Sequence, residues 1–278
     1  WWSPDPRMVL VAAARRWPTL NLDVSPGVLK IPVIGLELQQ LALRFARRSA
    51  YPYARFDISG VEHIPSRGAA ILVGNHRSYF DVAAMSLTIA KSGRPARFLG
   101  KKEVFDAPIV GSIAAAMGGI RVDRGTGSDE PLAAAAAALD GGEMVTMMPE
   151  GTIPRGPEFF RKPKGRWGAA RLAQMTGAPV IPIGLWGTER VWPRSSRLPN
   201  VLNLADPPTV QIRVGEPVRL VGRSLEADTK RIMAAIVELL PADAYRKRAP
   251  TAEELAATYP PGYSGDPGRE SQRRPGTD

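Results

Sequence analysis

The stretch NHRSYFD, residues 75–81, holds one of the two histidines of the chain, with a carboxylate five residues later. A hydroxyl is a poor nucleophile until a base takes its proton, and a neutral imidazole suits that task near pH 7. A carboxylate that accepts from Nδ1–H fixes the tautomer and stabilises the imidazolium as it forms. His76 as base and Asp81 as its orienting acid therefore form one reading. The other is a structural histidine beside a helix start.

Geometry limits the first reading. On one regular helix, residues five apart point about 140° away from each other. The pair meets only if His76 lies on a loop and Asp81 in the first turn of the helix that follows. The pattern fits that layout: AAILVGN reads as a buried strand that ends at Gly74 or Asn75, and apolar helical spacing resumes near Phe80. The carboxyl ends of strands are where α/β sheets bind ligands. MMPEGT lies at a second strand end, after EMVTMM. Its Pro149 and Gly151 break that strand and gather Glu150, Gly151 and Thr152 in one turn.

Around these stretches the pattern alternates. RFDISG, AAILVGN, ARFLG, GIRVD, EMVTMM, PVIPIGLWG and TVQIRVG read as strands. Phe80–Ala90, Pro108–Met117, Glu130–Leu139, Arg166–Met175 and Ser224–Leu240 read as helices. This predicts an α/β domain over residues 51–248, with a parallel or mixed sheet flanked by helices. Residues 1–50 are expected to form an N-terminal helical segment. Its leucines at helical spacing and its Arg44, Arg47 and Arg48 suit either a helix covering the core or one lying in a membrane interface. Residues 249–278, rich in Pro, Gly and Ser, are expected to be disordered.

The composition excludes several chemistries. With no cysteine there is no disulfide framework, thiol nucleophile or cysteine-ligated metal. Two distant histidines, His63 and His76, make a zinc site an unattractive reading. No nucleophile elbow or phosphate-binding glycine loop occurs. The formal charge is +10; the last thirty residues carry three Arg and five acidic groups, and that −2 leaves +12 for the rest. Such a surplus favours acidic partners. No helix-turn-helix or aromatic platform points to nucleic acid, and no apolar run reaches the roughly 18 residues of a membrane span.

In order, the chain carries NHRSYFD, FLGKKEVF, GGIRVDR, MMPEGT and APVIPIGLWGTE. This resembles the glycerophospholipid acyltransferase family, whose type member is 1-acyl-sn-glycerol-3-phosphate acyltransferase. N-H-x-x-x-x-D matches Asn75, His76 and Asp81. The lysine-bearing segment and G-x-I-x-x-D-R match Lys101 or Lys102, then Gly118, Ile120, Asp123 and Arg124. E-G-T matches residues 150–152, and the proline-containing strand matches Val180–Ile183. The resemblance runs from about Phe56 to Leu220.

The resemblance implies that His76 deprotonates the acceptor hydroxyl, which then attacks an acyl thioester directly, and that Asp81 orients it. It implies that Glu150, Gly151 and Thr152 help hold the acceptor's glycerol phosphate, and that Lys101 and Arg124 contact the phosphate. Many relatives continue E-G-T with Arg-Ser; here Ile153 and Pro154 follow, and Arg155 is the first cation. Arg161, Lys162, Lys164 and Arg166 are further substitutes. EFFRKPKGRWG reads as a mobile basic loop facing membrane or coenzyme A.

The expected activity is transfer of a fatty acyl chain from acyl-CoA or acyl carrier protein to 1-acyl-sn-glycerol-3-phosphate, giving phosphatidic acid. No metal or tightly bound cofactor is implied; the thioester is a substrate. The expected partner surface is an anionic membrane, with the protein peripheral or monotopic on the cytoplasmic side, and no nucleic acid. The rival readings are another lysophospholipid or glycolipid acceptor, a hydrolase, and a non-catalytic lipid-binding protein of the same fold.

Overall fold

The computed structural model describes residues 51–101, 119–122, 130–242, 244–245 and 249–263. The N-terminal segment, the Pro108–Met117 helix and Arg124 lie outside these residues. The described elements run β1 (Arg55–Ser59), β2 (Ala70–Gly74), α1 (Asp81–Ser92), β3 (Ala96–Lys101), β4 (Ile120–Val122), α2 (Glu130–Asp140), β5 (Met144–Met147), α3 (Gly168–Thr176), β6 (Val180–Trp186), α4 (Thr188–Val191), β7 (Thr209–Val214), α5 (Leu225–Glu238) and α6 (Ala252–Ala257). Short 3₁₀ turns occupy Val61–His63 and Gly156–Phe160.

Seven strands form one sheet in the order β1-β7-β6-β2-β5-β3-β4. All neighbours are parallel except β6 and β7, which run antiparallel. The expected α/β architecture with a mostly parallel, mixed sheet is the one observed. Every residue of β2 is buried, as are the first six of β6. That continuous apolar run is what a central parallel strand needs when helices cover both faces.

Alternation along the strands splits the interior into two cores. Leu72 of β2, Met144 of β5 and Ile181 of β6 join Ala84, Met85 and Ile89 of α1 on one face. Ile71, Val73, Val145 and Val180 point the other way, onto Leu139 of α2, Leu172 of α3 and Ile232 and Ile236 of α5. Side chains two apart share a face of a strand, and this sequence uses both faces.

β2 is the switch point of the sheet. It pairs with β5 on one side and β6 on the other, both parallel to it, so the carboxyl ends of all three emerge together. Val73 is level with Met147, which brings the residues three further on, His76 and Glu150, to matching depth. Gly187 turns the chain off β6 with φ +85°; a Cβ there would lie 2.4 Å from Thr209 O. Only glycine fits.

The tail expectation is corrected at its start. Residues 251–257 hold a capping box, Thr251 with Glu254, followed by α6. Thr258 is buried and its Oγ1 accepts from Gly156 N–H at 2.7 Å. Reading Pro and Gly as disorder overlooked the T-x-x-E signal that starts a helix. Residues 264–278 lie outside the described ones. Among the described residues, no helix is long and apolar enough to cross a membrane.

Candidate active site

The HRSYFD loop winds around one carboxylate oxygen. Asp81 is fully buried at the start of α1. Its Oδ2 accepts from Arg77 N–H at 2.6 Å, from Ser78 N–H at 2.8 Å and from His76 Nδ1 at 2.8 Å. With Nδ1–H donating to that carboxylate, Nε2 keeps the lone pair. The imidazole is only partly covered, whereas the aspartate is sealed. The loop-then-helix layout needed for the pair to meet is therefore what the chain adopts.

Asn75 secures the loop to the sheet. Its side chain donates to Leu185 O at 2.9 Å and accepts from Leu185 N–H at 2.7 Å. An amide side chain thus continues the β2–β6 ladder where the backbone has left it. Ser78 ties the other end: its hydroxyl donates to Trp192 O at 2.6 Å and accepts from Phe80 N–H at 3.0 Å.

Glu150 reaches the same loop from β5. Gly151 takes φ +75°, and its N–H closes a turn onto Met148 O at 2.9 Å. That amide is consequently spent within the turn. The turn drives Glu150 inward, where only 5% of it remains exposed. Its Oε1 accepts from the backbone N–H of His76 at 2.7 Å. Glu150 therefore fixes the residue that carries the imidazole, a positioning role that the spacing of the motifs did not reveal.

Burial pushes the Glu150 carboxyl from 4.5 up to about 8; Asp81 adds to the rise, while the His76 N–H and Arg77 oppose it. The folded protein thus holds this proton more tightly than the unfolded chain. The stability it contributes is complete below about pH 4.5 and is lost as the pH rises through about 8. Urea unfolding at pH 5 and pH 9 should show the wild type losing on the order of 3–5 kcal/mol through this group. Glu150→Gln should be flatter by that amount, and equal pH slopes for the two proteins would refute the assignment.

Arg77 was not singled out by sequence, although it lies inside the motif. Its guanidinium sits 4.2 Å from the Phe159 ring centre and 4.3 Å from that of Trp186. Its NH2 donates to Glu189 Oε1 at 3.2 Å, and the Tyr245 hydroxyl interacts electrostatically with its charge. Burial works against its charge, but Glu189, Tyr245 and Asp81 outweigh that and hold its pKa above the ordinary value. Burial in turn pushes the Tyr245 hydroxyl up to about 12. One cation therefore clamps the loop that carries His76 to the end of β6, to α4, to the 156–160 turn and to Tyr245. Nothing in the spacing of these five residues signals the cluster, because they come together only in three dimensions.

The remaining expected residues are distributed as follows. Gly151 and Thr152 follow Glu150 in the same turn. Ile153 is buried, and its carbonyl accepts from Arg194. Arg155 lies 4.9 Å from the Tyr263 ring centre. Lys101 closes β3 at the same end of the sheet, its side chain outside the described residues. His63 donates through Nδ1 to Val214 O at 2.8 Å, away from the pair. In the expected basic loop, Phe159 is buried against Arg77 while Trp167 is 58% exposed, so a core role holds for the first and not the second.

The fold and site define a class: an α/β domain with an imidazole–carboxylate pair at the strand ends of its switch point. Comparison with known proteins narrows it. Residues 55–186, a little under half of the chain, match the Acyltransferase family model. Two chloroplastic 1-acyl-sn-glycerol-3-phosphate acyltransferases are similar to the chain, each at 30% identity. The one from Brassica napus aligns with 64% of this chain and 49% of its own length, the one from Arabidopsis thaliana with 64% and 48%. The chain thus spans about half the length of these curated relatives. The crystal structure of the 1-acyl-sn-glycerophosphate acyltransferase PlsC from Thermotoga maritima shares the fold. It has a TM-score of 0.55 and 20% identity, over 77% of this chain and 82% of that one.

Proposed function

We propose that the protein transfers a fatty acyl chain from acyl-CoA or acyl carrier protein to the free hydroxyl of 1-acyl-sn-glycerol-3-phosphate, forming phosphatidic acid. The observation that carries this reading is the 2.8 Å contact between His76 Nδ1 and Asp81 Oδ2. It leaves Nε2 to take the acceptor's proton. The alkoxide attacks the thioester carbonyl, the tetrahedral intermediate collapses, and the thiolate leaves with the proton returned through His76. Asp81 stabilises the transient imidazolium, and Glu150 holds the backbone of His76 in place. In this reading Lys101, Arg124 and Arg155 attract the acceptor's phosphate, with Gly151 and Thr152 beside it. The protein works peripherally at an anionic membrane, on its cytoplasmic side.

The two plant relatives named above support this acceptor. The test is incubation of the purified protein with acyl-CoA and a panel of lysophospholipids and lysoglycolipids, with products identified by mass. Phosphatidic acid should dominate. A product formed only from another acceptor would move the headgroup assignment, and free fatty acid alone would mean a hydrolase.

A further inference from the structure

The segment after α4 exposes aliphatic side chains that the chemistry above does not use. Leu198 is 73% exposed, Leu202 86%, Leu204 57% and Val201 46%. Four large aliphatic groups within seven residues make a patch, whereas isolated ones are ordinary on a surface. The loop that carries them is pinned. Asn200 N–H donates to Val191 O at 2.9 Å, and Trp192 Nε1–H to Ser196 O at 3.0 Å. Leu204 N–H donates to Leu202 O at 2.9 Å.

This loop is continuous with the catalytic one. Trp192 O accepts the Ser78 hydroxyl, three residues before Asp81, and the Trp192 ring lies 5.5 Å from that of Tyr79. Tyr79 and Val82 are exposed on the same stretch as His76. Tyrosine and tryptophan beside aliphatic tips are the composition of a bilayer interface. Exposed Arg190 and Arg197 flank the patch, and the one acidic group of residues 193–206, Asp206, pairs with Arg55 at 3.2 Å.

We propose that residues 193–206 form a bilayer-docking surface, with Leu198, Val201, Leu202 and Leu204 entering the interface of an anionic membrane next to the His76 loop. Arg190 and Arg197 meet its headgroups. The occupant is a lipid surface because aliphatic tips flanked in sequence by two exposed arginines complement acyl chains under anionic heads. The proposal rests on the acyltransferase reading, since a lipid acceptor must enter the site from a bilayer. Docking here sets the imidazole beside that source.

The chain has no cysteine, so Leu202→Cys accepts a single environment-sensitive fluorophore. Lys230→Cys, on α5 across the sheet, serves as control. Vesicles of phosphatidylglycerol and phosphatidylcholine should shift the first label to the blue and leave the second unchanged. Pure phosphatidylcholine should give a weaker shift, and high salt should weaken binding further. The double variant Leu198→Ser/Leu202→Ser should bind these vesicles about tenfold less tightly, with an unchanged thermal melt. Its turnover of a short-chain, monomeric lysophosphatidate should equal wild type. No shift at residue 202, or wild-type vesicle binding by the double variant, overturns the proposal. So does a label already blue-shifted without vesicles, which would mean that residues 1–50 or a second copy cover the patch. Absent turnover of the monomeric acceptor would instead count against the acyltransferase reading and leave the docking result to be read from the fluorophore.

Discussion

Replacing His76 with alanine should lower acyl transfer by roughly 10²–10⁴-fold, the range that a positioned general base supplies, or about 3–5 kcal/mol of barrier. The loss should fall on kcat, because the imidazole acts on a proton that moves only during the reaction. Folding should survive. The ring is partly open and, among the described residues, has one hydrogen bond, to Asp81 Oδ2. The carboxylate it leaves keeps two other donors, the amides of Arg77 and Ser78. The check is a steady-state assay with a thermal melt on the same sample. A stable variant with near wild-type kcat would remove His76 from the chemistry.

Arg77→Ala should be the more damaging change to the fold. It removes a cation held between two aromatic rings and leaves Glu189 facing a partly buried void. Breaking one side of a buried ion pair costs about 3–5 kcal/mol, roughly 10 °C in melting temperature for a domain of this size. Arg77→Lys keeps the charge but loses the planar stack and should fall between the two. Urea unfolding measures both. A loss below about 1 kcal/mol for alanine would mean that the cluster is incidental to stability. Because the Arg77 side chain anchors the loop whose amides hold Asp81, the lysine variant should keep more activity than alanine at a temperature where both are folded.

Much of this arrangement is written locally and is therefore legible. The buried apolar runs of β2 and β6 announce a parallel sheet, and the step from Asn75 to Phe80 announces a loop between strand and helix. That layout lets His76 and Asp81 meet, while their assignment as base and orienting acid comes from the resemblance and not from the layout. What stays hidden depends on distant partners. The Asn75 bridge to Leu185 spans 110 residues, and the Arg77 cluster draws on Phe159, Trp186, Glu189 and Tyr245. Glu150 was recognisable as a motif residue, yet its hold on the His76 amide appears only when two strand ends lie at one depth. The helix at 252–257 is a different case: its capping box was legible, but the surrounding prolines and glycines outweighed it.

The most direct test of the acyl-transfer account is thiol release from acyl-CoA, followed as the concentration of 1-acyl-sn-glycerol-3-phosphate is raised. The account predicts release that rises from near zero and saturates, with one phosphatidic acid formed per thiol, and a flat line for His76→Ala. Release that ignores the acceptor, or that persists in His76→Ala, would contradict it.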